Sequence, residues 1–244
     1  MNKLKSFTQG LPAALLILGA AIFTCAQNPG PTKHNTRPTQ TASSPAAVTD
    51  NNGEPVKYTY EFSQPKFVVK HIVLEHDANG RGTVKFERLN EDAPIVEPLA
   101  LSAAALTRIN AAWQALQFLD SSTDYQADKQ FPHLGTMRIG MERGTRKRIA
   151  EFNWTNNTNA EILINEYRRA ADQAILIFDI TVARENQPLN APKLMEVMES
   201  LIKRNALSDP EQLLPLLNEL STDEHIPLIA RNHALRIIKK IRGK

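Results

Sequence analysis

The residues able to do covalent chemistry in this 244-residue chain are sparsely set. Its single thiol, Cys25, lies in an apolar N-terminal stretch, and no Gly-x-Ser-x-Gly elbow occurs. Neither a Cys–His pair nor a serine-hydrolase turn can therefore be assembled from recognisable parts. The six histidines are scattered, and His71 and His76 stand five apart on or beside one strand, a spacing that sends them to opposite faces. No His-x-x-x-His helix or cysteine cluster offers zinc ligands. Counted from Asp77 as a calcium loop, Asp77, Asn79 and Gly82 fall at the first, third and sixth places. Arg81 and Arg88 then occupy the fifth and twelfth, where oxygen ligands are needed, so a hairpin turn is the better reading. The ten glycines include no phosphate-cradling loop. No catalytic, metal-binding or cofactor-binding residue is assigned, and no cofactor is expected. What stays open is a hydrolase site of Asp, Glu or His residues brought together only by the fold.

Basic residues cluster twice. Arg143, Arg146, Lys147 and Arg148, with Arg168 and Arg169 further on, could touch nucleic acid, but a charge run at a hairpin bend reads as a solvated turn. No nucleic-acid partner is expected. Arg236, Lys239, Lys240, Arg242 and Lys244 close the chain; they suit anionic lipid or wall polymer, and equally the negative end of a helix dipole. Asn153-Trp-Thr155 and Asn156-Asn-Thr158 match glycosylation acceptors, relevant only to a eukaryotic secretory route.

The elements that carry these residues begin with a leader. Lys3 and Lys5 precede a mostly apolar run from Leu11 to Phe23, closed by Thr24, Cys25 and Ala26, the order of parts in a secretory signal. The run is short of the roughly 20 apolar residues a spanning helix needs. With Ile22, Phe23 and Thr24 ahead of Cys25, it resembles the bacterial lipoprotein signal at −3 and departs from it at −2 and −1. That resemblance implies lipid attachment at Cys25, a membrane anchor, and with Ala26 next an outer-membrane address. Ordinary cleavage after Ala26 fits as well, and both outcomes stand. Either removes Lys3 and Lys5 from the 29 basic residues facing 26 acidic ones, leaving a net charge of about +1.

Residues 27–55 hold five prolines, many Thr, Ser and Asn, and Val48 as the one aliphatic β-branched residue. They predict a disordered tether with an r.m.s. reach of roughly 30 Å. A folded body follows over 56–184. Tyr58, Tyr60 and Phe62 alternate with Lys57, Thr59 and Glu61 in a half-buried strand. A second strand over about 67–75 and a third with Val84 and Phe86 flank the Asp77–Gly82 turn. Ser102 caps a helix with Leu106, Ile109, Trp113 and Leu116 on one stripe. Met137, Ile139 and Met141, then Ala150, Phe152 and Trp154, make a second hairpin. Thr158 and Glu161 have capping-box spacing and open a helix to about Ala183.

The predicted fold is α+β: an antiparallel sheet of about four to five strands with two helices on one face, then a small all-α tail over 185–244. In the tail, Leu194, Val197, Met198, Leu201 and Ile202 share a helix, and Ser208/Glu211 and Ser221/Glu224 have capping-box spacing. The run LLPLLNELSTDEHIPLIARNHALRIIKKI, with Pro215, an acidic turn at Asp223, and Arg231, Ala234, Leu235 and Ile238, resembles a HEAT-type helical repeat. It covers about 30 of the 244 residues and implies a paired-helix unit packed on the body. The whole plan also resembles that of bacterial secreted proteins, which implies export without any particular activity. The expected function is that of an exported, envelope-tethered, non-catalytic binding or scaffold protein, periplasmic or at the cell surface, with a protein or wall component as partner. The alternative is an envelope hydrolase.

Overall fold

Alternation in the first strand decides the architecture, because it leaves one face of the sheet to be buried. In a computed structural model that describes residues 54–243, β1 (Val56–Ser63) turns Tyr58, Tyr60 and Phe62 inward and Lys57, Thr59 and Glu61 outward. It is followed by β2 (Val69–Asp77), β3 (Arg81–Arg88), β4 (Ile95–Ala100), β5 (Thr136–Arg143) and β6 (Arg146–Phe152). All neighbours pair antiparallel in the order β4-β3-β2-β1-β5-β6. The sheet thus has six strands, one more than the upper end of the sequence expectation. The extra strand, β4, carries Pro98 opposite Thr83; proline lacks the N–H of a ladder and is tolerated because β4 is an edge. Cys25, the leader, most of the tether and Lys244 lie outside the described residues. Among those described, no helix is long and apolar enough to cross a membrane.

The β2–β3 hairpin is held by Asp77, whose carboxylate accepts the backbone N–H groups of Asn79 and Arg81 at 2.8 and 3.0 Å. Gly80 supplies the positive φ of +74° that the turn requires. Opposite His76, Gly82 lets the strands close: a Cβ there would stand 1.8 Å from the Glu75 carbonyl oxygen.

Two helices cover the inner face. α1 (Ala103–Leu116) starts as predicted, with the Ser102 hydroxyl accepting the Ala105 N–H at 3.1 Å. α2 (Thr158–Asn186) is capped one residue earlier than expected: Asn157, not Thr158, accepts the Ala160 N–H, at 3.0 Å. β6 stops at Phe152, so Trp154 stands outside the strand assigned to it.

The α1–α2–sheet junction closes on one hydroxyl. His76 Nδ1 lies 2.7 Å from the Asp77 carbonyl, which can only accept, so Nδ1 carries the hydrogen and Nε2 accepts. Tyr167 of α2 donates its O–H to that Nε2 at 2.8 Å and accepts the Trp113 N–H of α1, also at 2.8 Å. Tyr58 stacks on the His76 ring at 4.9 Å and Tyr60 on Tyr167 at 5.5 Å.

Past the sheet, the second half of α2 enters another core. Leu176 and Ile180 pack with α3 (Ala191–Lys203), α4 (Leu214–Thr222) and α5 (Leu228–Arg242). Both predicted capping boxes of the tail are overturned. Asp209 caps the 3-10 turn over Pro210–Leu213, and Ser221 sits in the last turn of α4 donating to the Asn218 carbonyl. On α3 the buried positions are Ala191, Met195, Met198 and Ile202, while Val197 is exposed. Polar ties bind tail to body: buried Gln173 accepts the Asp209 N–H at 2.9 Å, and Arg108 of α1 donates to buried Glu166 and to the Ser208 carbonyl.

Replacing Tyr167 by Phe leaves His76 Nε2 and Trp113 N–H buried without partners, a cost on the order of 2–4 kcal/mol. Urea unfolding should show that loss as a lower midpoint at unchanged slope. Burial lowers the pKa of His76, with the Asp77 carbonyl and carboxylate opposing. The unfolded chain therefore takes up a proton as pH falls through about 6.5, where the folded state refuses it, and stability declines with acidity there. The urea midpoint should drop between about pH 7 and pH 5.5, and His76→Gln should lack that component.

Candidate functional site

At the Phe62 end of the sheet the helices do not complete the cover. A cleft of about 820 Å³ opens there, within the roughly 300–1,000 Å³ of small-molecule pockets. Its floor is the inner face of the central strands, with Tyr60 and Phe62 of β1, Val69 and Ile72 of β2 and Met137 of β5. One wall is the start of α2, where Glu161, Asn165, Arg168 and Asp172 recur at four, three and four residues, a single helical stripe. The opposite rim is the β1–β2 connection, Lys66, Phe67 and Val68, and the remaining side comes from Leu134 and Asn153-Trp154-Thr155.

Buried polar groups build this mouth. Gln64 is 7% exposed and donates its amide to the Pro132 and His133 carbonyls, each at 3.0 Å, locking the β1–β2 connection to the 3-10 turn over Pro132–Leu134. Asn153 accepts the Phe131 N–H at 3.1 Å, and the Phe131 ring meets Trp154 edge-on at 5.2 Å. Held this way, Phe67, Val68 and Trp154 keep 45%, 76% and 43% of their surface in solvent around an apolar floor.

The polar chemistry of the cleft is small and asymmetric. Arg168 lies with its guanidinium 6.0 Å from the Phe62 ring and one Nη 3.9 Å from the Met137 sulfur. Burial raises the pKa of the Tyr60 hydroxyl, with the nearby Arg168 charge opposing. Burial likewise raises that of the Asp172 carboxyl, with Arg168 and Arg204 opposing. None of the lining residues is a histidine, cysteine or serine, and Thr155 spends its hydroxyl accepting the Asn157 N–H at 3.1 Å. Glu161 and Asp172 are eleven residues apart on α2, roughly 16 Å along the axis. Paired carboxylates of a glycosidase need about 5–9.5 Å.

The residues weighed from sequence fall elsewhere. His71 and His76 do face opposite sides: His71 bridges Glu61 at 3.0 Å and Glu87 at 3.2 Å on the open sheet face, and His76 lies in the core. His233 pairs with Glu199 at 2.9 Å and His225 with Asp223 at 3.0 Å, both in the tail. Among the described residues no group of three or more His, Cys, Asp or Glu could hold a metal ion. The basic run is used locally: Arg146 and Arg148 donate to the Leu119, Phe118 and Thr123 carbonyls, and Arg148 lies 4.6 Å over the Phe118 ring. Lys240 of the terminal cluster reaches Glu199 at 3.3 Å. Cys25 lies outside the described residues.

Sequence reasoning did not assemble the cleft. Its usable signals were Phe67-Val68-Val69, an apolar triplet after Pro65, and the polar stripe beside Ile164 on α2. No family model matches the chain, and no curated protein matches it.

The Gln64 clamp gives a direct test. Gln64→Ala strips both carbonyls of their buried donor and should cost about 1–3 kcal/mol in urea unfolding. It should also raise hydrogen exchange over residues 64–68 and 131–135 while leaving α4 and α5 unchanged.

Proposed function

We propose that this chain is an exported, envelope-tethered, non-catalytic binding protein whose cleft takes an amphipathic small molecule. The observation that carries the binding reading is a framed apolar cleft of about 820 Å³ whose α2 wall sets Arg168 and Asp172 beside the Tyr60 hydroxyl of its floor. Apolar floor supplies affinity in proportion to the area removed from water, and a few polar groups fix orientation. Export rests on the leader and on the lipoprotein-like residues around Cys25, with the tether holding the body away from a membrane or wall. The HEAT-like pairing of α4 and α5 offers a second, helical surface for a protein or wall partner.

The hydrolase reading loses support at the same cleft. Its two acids stand eleven residues apart along α2, and no histidine, cysteine or serine is among the lining residues.

Two tryptophans make the proposal measurable, since Trp154 lines the cleft and Trp113 is buried. Titration with single-chain amphiphiles should shift Trp154 emission and saturate at one molecule per chain, and Trp154→Phe should abolish the shift. Val68→Ser, at the most exposed point of the rim, should weaken binding several-fold without altering the unfolding midpoint. Failure of every such molecule to saturate would remove the binding reading. Intact-mass analysis of the exported form separates a diacylglyceryl adduct at Cys25 from a chain beginning at Gln27.

A further inference from the structure

The arginines of α2 are not alike. Arg169 pairs with buried Glu166, and Arg184 holds Asp223 and Glu219 of the tail. Arg168 makes no ion pair among the described residues and rests against the Met137 sulfur, the Phe62 ring and the buried Tyr60 hydroxyl at the side of the cleft. Asp172, one turn along, is near enough to feel its charge but forms no ion pair with it among the described residues. A guanidinium presents a planar fork of donors that matches a carboxylate or phosphate two-pronged, and beside apolar surface it is more weakly hydrated than an ammonium. Here that fork is exposed where apolar floor gives way to water.

From this we infer that the ligand of the cleft is a single-chain amphiphile with an anionic head, its chain lying between sheet and α2 and its carboxylate or phosphate on Arg168. The inference rests on the binding reading above and adds the sign and seat of the head group. A chain laid on Ile72, Met137 and Ile164 leaves its head at the rim. Lys66 and Arg168 are both exposed there against one exposed carboxylate, Glu161, seven residues before Arg168 and roughly 10 Å away along the helix. At the water edge itself the exposed charges are thus two cations and one carboxylate. Asp172, half-buried one turn further along α2, is the second carboxylate of the lining; burial raises its pKa, with Arg168 and Arg204 opposing.

The test compares heads on one chain: dodecanoate, dodecyl phosphate, dodecanol and dodecyltrimethylammonium, each below its micellar concentration, titrated into the purified chain by calorimetry with Trp154 emission in parallel. Both anions should bind about tenfold or more tightly than dodecanol, and the ammonium more weakly than dodecanol. The tighter of the two anions distinguishes a fatty-acid source from a phospholipid-like one. Arg168→Gln should remove most of the anion preference while leaving dodecanol within about twofold of the parent, and Lys66→Gln should remove only a smaller part of it. Equal binding of all four heads, or preference for the ammonium, overturns the head-group assignment and leaves the binding reading standing. A loss of dodecanol affinity in Arg168→Gln also overturns it, since the arginine would then be shaping the cleft and not holding a head. Saturable binding by none of the four removes the binding reading and this inference together.

Discussion

Hydrophobic burial can press two helices against a sheet, but it is non-directional and does not say where along the sheet they stop. In this molecule that choice is made at the Tyr167 hydroxyl. The Asp77 carbonyl forces the hydrogen of His76 onto Nδ1, the free Nε2 must then be fed by the tyrosine O–H, and the tyrosine oxygen is left to accept from Trp113. Each donor and acceptor is used once, and sheet, α1 and α2 each contribute a member. Sliding either helix by one residue, about 1.5 Å, would break at least one of these bonds in a setting where water cannot replace it. Gly82 belongs to the same constraint, because the β2–β3 approach that sets the strands opposite His76 admits no Cβ.

Once the helices are fixed there, the cleft follows from dimensions. Six strands spaced about 4.8 Å apart need more cover than two helices of about 10 Å diameter supply. α2 has 29 residues, roughly 43 Å, so it overruns the sheet and carries its Leu176 and Ile180 into the tail core. Its first turns stand over the Phe62 end without a companion helix. The connections that complete that end are loops, which enclose less apolar surface than a helix would and leave the floor reachable.

How much of this the sequence disclosed follows from which interactions are local. Period-two alternation around Tyr58–Phe62, the Asp77–Gly82 turn and the Ser102 cap depend on neighbours within a few residues, and they read correctly. β4 did not, because its run is short and Pro98 signals a break, while what makes it a strand is pairing with β3. Capping spacing misled at Thr158, Ser208 and Ser221, since a Ser or Thr three residues before an acid is common and the true caps at Asn157 and Asp209 use the neighbouring residue. Arg168 was visible only as part of a charge count; its meaning comes from Phe62 and Met137, more than thirty residues away in two other elements. His76 was readable as facing away from His71 but not as the centre of a network, for Tyr167 is 91 residues distant.

An apolar cleft that stays open forgoes stability that collapse would provide. Phe67, Val68 and Trp154 could each gain burial by folding down onto Ile72 and Met137, at about 25 cal/mol for every Å² removed from water. What opposes this is backbone hydrogen bonding. The Gln64 amide ties the β1–β2 connection to two carbonyls of the turn over Pro132–Leu134, and Asn153 holds the Phe131 N–H that sets the ring against Trp154. Closing the rim would pull those partners apart and bury them unpaired, about 1–3 kcal/mol for each group, which is comparable to the apolar gain from one side chain. The opening is therefore held by a polar frame around an apolar floor. A ligand that fills it collects the burial that the frame denies to the chain itself.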